Sequence, residues 1–263
     1  MNTFIPFSLP HLGQEEIDEV VDTLKSSWLT TGPKVEKFEF NFENFIGKDV
    51  KAISVNSATS GLHLALEALG ISKGDEVIVP ALSWSTTVWP LIQNGLVPVF
   101  VDIDPNTFNL DPASVEANVT PYTKAIMVVD IFGHSADIDA IMAIAAKYNL
   151  KVIADTAQAP GALYKGKYAG TLSHVGGYSL NYHKHIHTGE GGILVTNDDT
   201  IAEKLQLIRN HAEAVVGDKG VSNLSNMVGY NFRLGEIECA IGIEQLKKLK
   251  HLVAGRQRTA ERL

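Results

Sequence analysis

Short apolar runs alternate with amphipathic stretches along most of this chain. Residues 52–56, 76–80, 97–102, 124–130, 151–155, 177–180 and 192–196 each read as a strand, rich in Val, Ile, Leu and Ala and bounded by Gly, Pro, Asn or Asp. Helices fit between them. After Asn56, the positions Leu62, Ala65, Leu66 and Leu69 share one helical face, and Gly70 is a suitable stop. Residues 86–94 and 138–148 read as two further helices. Residues 235–262 read as one long helix, with Ile241, Ile243, Leu246 and Leu249 among its apolar positions. Strands alternating with helices at this spacing predict an α/β fold with a mainly parallel sheet and helices on both faces. No internal repeat, low-complexity tract or Pro/Gly-rich linker interrupts the pattern.

Composition narrows the classes. At 263 residues, 45% hydrophobic and 20% charged, the chain has ordinary globular values and ample material for a core. The formal net charge of −8 leaves no basic surplus to neutralise phosphates, which argues against a general nucleic-acid binder. A single cysteine, Cys239, permits no internal disulfide and fits a reducing compartment. The first residues lack a basic region followed by an apolar run, and no stretch approaches the length of a membrane span. The expectation is a cytoplasmic protein without a membrane partner.

In parallel sheets ligands bind beyond the carboxyl ends of strands, so the chemistry should lie just after the apolar runs. Ser179 precedes Lys184 by five positions, and the turn Thr188-Gly-Glu-Gly-Gly192 leads into the last strand. A pyridoxal phosphate site of the aspartate aminotransferase fold needs this arrangement: a lysine to form a Schiff base with the cofactor aldehyde and a hydroxyl to reach its phosphate, although a surface lysine on a strand-end loop would read the same. Asn56-Ser57-Ala58-Thr59-Ser60-Gly61 opens a helix with small residues that let N–H groups approach an anion, although N-capping by Ser57 or Thr59 would explain it too. Asp155 ends a buried strand, with Gln158 three residues on. A carboxylate there needs a partner, which a protonated pyridine nitrogen would supply, or else it caps a helix. Trp84 is placed to stack on a flat ring, or it is plain core.

The order of these residues resembles the DegT/DnrJ/StrS family of pyridoxal phosphate-dependent nucleotide-sugar aminotransferases. Ser57-Ala-Thr59, Trp84, Asp155 with Gln158, Ser179 with Lys184, the glycine turn and Gly229-Tyr-Asn231-Phe-Arg233 fall in sequence. So do Thr31-Gly-Pro33, Phe38-Glu39, Gly74-Asp-Glu-Val-Ile-Val-Pro80, Pro98-Val-Phe-Val-Asp102 and Asn210-His211. The resemblance implies a fold type I large domain over residues 1–235. Residues 236–263 would begin the helix leading to a small C-terminal domain, which is absent from this chain.

It also implies roles. Lys184 would link to the cofactor and act as the acid/base of transamination. Asp155 would hold the pyridine nitrogen protonated, with Gln158 near the phenolic oxygen and Trp84 on the ring face. Ala58, Thr59 and Ser179 would hold the phosphate. Asn231 matches an asparagine that reaches the phosphate from the partner subunit, which implies a homodimer with shared sites. Arg233 would meet an anionic part of donor or sugar, or form an ion pair at the dimer surface. Glutamate would donate the nitrogen, and a keto group on a nucleotide-linked deoxysugar would accept it, in amino-sugar biosynthesis for cell-surface polysaccharides or antibiotics.

Two departures bear on this. His183, His185 and His187 stand where the family has small or amide residues. On an extended segment they would share one side, as a metal site needs, but no metal is expected. The chain also ends early for such an enzyme. The alternatives are a sugar dehydratase on the same scaffold, or a non-catalytic binding or regulatory protein. In the dehydratase branch a histidine replaces the lysine, and here the lysine is retained.

Overall fold

The computed structural model describes Phe4 and residues 9–47, 49–212 and 228–262. Seven strands form one sheet: β1 (Lys51–Val55), β2 (Glu76–Pro80), β3 (Val97–Val101), β4 (Thr123–Val129), β5 (Lys151–Asp155), β8 (Val175–Ser179) and β9 (Gly192–Thr196). A small antiparallel hairpin, β6 (Leu163–Tyr164) with β7 (Lys167–Tyr168), stands apart. The sheet order is β1-β9-β8-β5-β4-β2-β3. Neighbours pair in parallel except at β9, which runs against both β8 and β1. The predicted α/β class and mainly parallel sheet are therefore observed.

Alternate residues on each strand feed opposite cores, as a two-residue side-chain period demands. Val77, Val79, Met127 and Ile153 pack with Leu62, Leu66 and Leu205 on one face. These last three lie on α3 (Ala58–Ala68) and α7 (Asp199–Arg209). Ile78, Ile126, Val128 and Val152 pack on the other face with α5 (Pro112–Ala117) and α6 (Ile138–Tyr148), through Val115, Ile141 and Ile144. At the β1 end that face is covered by α2 (Pro33–Ile46) and the long α8 (Glu236–Ala260), through Phe38, Phe42, Ile243 and Leu246.

Helix ends follow local chemistry. Ser57 caps α3, its hydroxyl accepting from the Ser60 N–H at 3.1 Å, a contact worth about 1 kcal/mol. Gly70, at φ 75°, closes α3 with paired bonds from the Gly70 N–H to the Glu67 carbonyl and the Ile71 N–H to the Leu66 carbonyl. The helix expected over 86–94 is interrupted: a 3₁₀ turn (Ser85–Thr87) precedes a short α4 (Trp89–Gln93). Pro90 has no N–H to continue a helix, so it starts a new one.

Buried charges tie distant elements. Glu236, at the start of α8, accepts from the Lys34 and Val35 N–H groups at 2.8 Å each, so it caps α2 from another helix. The α1 helix (Gln14–Ser26) is held to α8 through Glu16, which accepts from Lys248 at 2.7 and 2.8 Å. Burial disfavours the charged Glu16, but Lys248, the Gly13 N–H and Gln245 outweigh it and hold the carboxyl down to about 2. Among the described residues no helix is long and apolar enough to cross a membrane.

Candidate functional site: a cleft at the strand ends

The parallel strands deliver their carboxyl ends to one edge of the sheet, where a cavity of about 1030 Å³ opens. Ala58, Thr59, Trp84, Asp155, Gln158, Ser179 and Lys184 all line it. They come from four separate chain segments, so the sheet, and not sequence proximity, assembles them.

Asp155 forms the floor. Its Oδ2 accepts from the Thr87 hydroxyl at 2.8 Å and its Oδ1 from the Ala157 N–H at 3.2 Å. No helix follows it, so it is not the helix-capping aspartate considered above. Burial pushes its carboxyl above the usual range, against the two hydrogen bonds and the charge of Lys184. Lys184 is half-buried on a turn whose backbone closes from the Lys184 N–H to the Asn181 carbonyl at 2.9 Å. Desolvation lowers its ammonium below the ordinary lysine value, opposed by Asp155. The two groups thus line one cleft in a setting that disfavours both charges.

The wall opposite is the first turn of α3. Ala58 and Thr59 are its first two residues, so their N–H groups have no intrahelical acceptor. Gly192 allows this turn to sit tight against β9: a Cβ there would lie 2.6 Å from the Ala58 nitrogen. The Ser179 oxygen accepts from the Asn181 N–H at 3.3 Å, which leaves its proton to donate. Two free N–H groups and two hydroxyls, those of Thr59 and Ser179, make a cradle for a phosphate.

Gln158 is anchored by accepting from the Phe132 N–H at 2.8 Å, so its amide NH₂ is the end left to donate. Trp84 is 71% exposed and is not core. A cradle for an anion, a buried carboxylate with no ion pair within contact distance among the described residues and a desolvated lysine together fit pyridoxal phosphate.

The histidine segment is a run of turns and bends, not the extended strand that a shared metal-binding side would need. His183 lines the cleft, edge-on to Tyr182 with ring centroids 5.3 Å apart. His185 sits at the cleft's end, and burial, with Arg256 and Lys184 nearby, pushes it down to about 4, so it is neutral at pH 7. His187 is buried, and neither ring nitrogen is hydrogen-bonded among the described residues. No group of three potential metal ligands occurs among the described residues. Asn231 does not line this cleft; it is exposed and bridges to Asn210. Arg233 donates to the Asn210 side chain.

Sequence reasoning missed Thr87, Asn181, Glu190 and Arg256. Thr87 touches Asp155 across 68 positions, and Glu190 accepts from Asn181 at 2.9 Å across the glycine turn. Only the fold brings such pairs together.

The geometry agrees with the comparison to known proteins, because residues 10–263 match the DegT/DnrJ/EryC1/StrS aminotransferase family. The chain belongs to that family. A relative, the Bacillus subtilis spore coat polysaccharide biosynthesis protein SpsC, is 41% identical over 98% of this chain and 69% of its own length. The solved aminotransferase of Psychrobacter cryohalolentis superposes with a TM-score of 0.87 at 36% identity, over 94% of this chain and 64% of that one. The Escherichia coli GDP-4-keto-6-deoxy-D-mannose-3-dehydratase, solved with bound hydrated pyridoxal phosphate, gives 0.88 at 35% identity, over 98% and 72%. The chain therefore spans about two thirds of the length of these relatives. DegT-family proteins are fold type I, pyridoxal phosphate-dependent enzymes, and the cleft fits that group.

Proposed function

We propose that this chain carries the cofactor-binding half-site of an aminotransferase that moves nitrogen from an amino acid, glutamate, to a keto group on a nucleotide-linked deoxysugar. The observation that carries the reading is the pairing of Lys184 and Asp155 in one cleft beside a free phosphate cradle. Pyridoxal phosphate, when bound, supplies an electron sink for the pair left behind when a C–H bond beside nitrogen is broken. Lys184 Nζ would hold the cofactor covalently and, when free of it, would move the proton at the donor's α-carbon, a task suited to an amine whose charged form is already disfavoured. Asp155 would supply the negative charge that keeps the ring nitrogen protonated. Ala58, Thr59 and Ser179 would hold the phosphate, with Trp84 beside the ring and the Gln158 amide left to donate to the ring's oxygen.

The partner reading is a homodimer in which Asn231 completes the neighbour's phosphate site. Its absence from this chain's own cleft supports that, as does an exposed apolar strip at Ile17, Val21, Leu24, Trp28 and Leu29. Residues 1–235 then form the large domain, and α8 leads on toward a small domain of the kind that fills the relatives' extra length. The amino-sugar pathway and a cytoplasmic setting follow the family likeness. The likeness to a dehydratase keeps a second reading in play, in which the sugar loses oxygen and gains no nitrogen.

The test is the absorbance spectrum of the cofactor-soaked protein before and after glutamate. A visible band that collapses on adding glutamate supports the donor half-reaction. A band that forms in Lys184→Ala as in the parent chain refutes the role of Lys184. Product analysis with keto sugars then separates nitrogen gain from oxygen loss.

A further inference from the structure

A buried carboxylate is governed by whatever donates to it, and among the described residues Asp155 has one close donor. Its Oδ2 takes the Thr87 hydroxyl at 2.8 Å, whereas the Ala157 N–H reaches Oδ1 only at 3.2 Å. Thr87 is fully buried. Its branched Cβ leaves few rotamers open in packed surroundings, so the hydroxyl has little choice of direction. The 3₁₀ turn adds a second restraint, because its backbone closes from the Thr87 N–H to the Trp84 carbonyl at 3.0 Å. One turn thus sets Trp84 in the cleft and brings Thr87 to Asp155.

The hydroxyl protons can be placed by counting. Ser83 Oγ lies 2.6 Å from Thr87 Oγ1, and each hydroxyl has one proton to give. An ionised Asp155 only accepts, so Thr87 donates to it and accepts from Ser83. A chain that runs from Ser83 through Thr87 to Asp155 polarises both bonds in one direction and favours the charged carboxylate. A protonated Asp155 would have its own proton to give and would need no donor at Oδ2. Valine would fill the space of Thr87 equally well, so packing does not account for the hydroxyl.

The other charges near Asp155 act without such a directed bond. β4 leads into Asp130, whose backbone N–H donates to the Asp155 carbonyl at 3.0 Å and whose carboxyl is engaged by Thr156 and the Ala136 N–H. The turn after β8 brings Lys184, which acts on Asp155 through space, and His183. His185, Glu190 and Arg256 complete the charged and titratable lining of the cleft, while α3 and the 3₁₀ turn line it with uncharged residues.

We propose that Thr87, itself oriented by Ser83, is the positioning residue that keeps Asp155 ionised and its carboxylate fixed for the cofactor's ring nitrogen. This deepens, and rests on, the reading of Asp155 as the charge that keeps that nitrogen protonated.

Binding of pyridoxamine 5′-phosphate, the amine form of the cofactor, tests this, because it forms no covalent link to Lys184. Its dissociation constant is read by fluorescence titration as a function of pH. The parent chain should bind less tightly as pH falls and Asp155 takes up a proton. Thr87→Val keeps the shape and deletes the hydroxyl. It should move that fall upward by about one pH unit, the tenfold change expected when a hydrogen bond to a charged group is lost. Thr87→Ser, the conservative variant, should recover most of the parent's profile, and Ser83→Ala should shift it part of the way. Above the shifted fall, Thr87→Val should bind as tightly as the parent chain, whereas a damaged cleft would bind less tightly at every pH. If Thr87→Val does not fold, the shift in Ser83→Ala decides. The proposal is overturned if Thr87→Val titrates like the parent chain, if it weakens binding equally at all pH, or if Thr87→Ser shifts as far. It is also overturned if, with Thr87→Val unfolded, Ser83→Ala titrates like the parent chain. Asp155→Asn separates the two readings. If it keeps the parent's fall, Asp155 is not the titrating group, and its assigned role goes together with the proposal. If it loses the fall while Thr87→Val leaves it in place, the role of Thr87 alone is dismissed. A parent chain that binds no pyridoxamine phosphate sinks both.

Discussion

Replacing Asp155 by Asn should make the cofactor-free protein more stable and the loaded protein nearly inactive. The carboxylate is buried and receives only the Thr87 hydroxyl at 2.8 Å and the long Ala157 N–H bond at 3.2 Å. Its raised carboxyl value means that the folded state resists its ionisation. The sign then follows from linkage. The group's stabilising contribution is full below the ordinary carboxylate range and is lost as pH rises through the raised folded value, so the charge is a net cost at neutral pH. Asparagine removes that cost and keeps the shape. Its oxygen can still accept from Ala157. Its NH₂ can donate to the Thr87 oxygen, because Thr87 can turn its own proton to Ser83, 2.6 Å away. Removing a buried charge in this way is worth about 1–3 kcal/mol, or a rise of roughly 2–4 °C per kcal/mol for a chain of this size. The rise should be seen by calorimetry at pH 7 and shrink toward pH 4. If Asp155 keeps the ring nitrogen protonated, as proposed, loss of its charge should slow the glutamate half-reaction of the loaded protein by at least about a hundredfold. An Asn variant that melts lower than the parent at pH 7 but reacts normally would refute both halves of this reasoning.

Gly192→Ala places a Cβ 2.6 Å from the Ala58 nitrogen and 2.7 Å from the Ser57 carbonyl carbon. Backbone cannot swing aside as a side chain can, so the substitution should cost about 1–3 kcal/mol and loosen cofactor binding by displacing the phosphate cradle. Unchanged melting and an unchanged cofactor titration would show that β9 and α3 have room to spare. Lys184→Ala and Asn231→Ala should each abolish the glutamate response alone, yet mixed dimers should recover part of it, because one site in the hybrid carries both native residues. If mixing restores nothing, Asn231 does not serve the partner's site.

Much of the architecture was legible because buried parallel strands write themselves as short apolar runs. The runs at 76–80, 151–155 and 192–196 coincide with β2, β5 and β9. Asp155, Ser179 and Lys184 were legible for a related reason: the ends of such strands hold the ligand, whatever the ligand is. Helices were harder to read. In α1 the buried residues are Glu16 and Thr23, while Ile17, Val21 and Leu24 are exposed. Its apolar stripe therefore says nothing about this chain's own core. In α2, Phe40 is exposed beside buried Phe38 and Phe42, which blurs the helical period. The conformation of the histidine segment was not legible, because alternation in three residues fits a strand as well as a loop, whereas the turn from Asn181 to Lys184 is set by backbone bonds. Thr87 and Gln158 gain their meaning from contacts 68 and 26 positions away, and no local pattern encodes those.

The cleft's electrostatics argue that it is built for an occupant. Lys184 and Asp155 carry opposite charges, and each lowers the cost of the other, yet desolvation is the larger influence on both. Evolution could have removed that cost with apolar residues of the same size, or met it by drawing the two groups into a tight ion pair. Neither happened. The carboxylate instead accepts from a hydroxyl and a single amide, and the amine faces the cavity. A rigid cation seated against Asp155 and an electrophilic carbon beside Lys184 would cancel both penalties at once. The anion cradle on α3 would fix the distance between them. On the proposed reading, the stability that Asp155 costs would be returned when the cofactor binds, which is why the Asp155→Asn change should raise stability without cofactor while slowing the reaction with it.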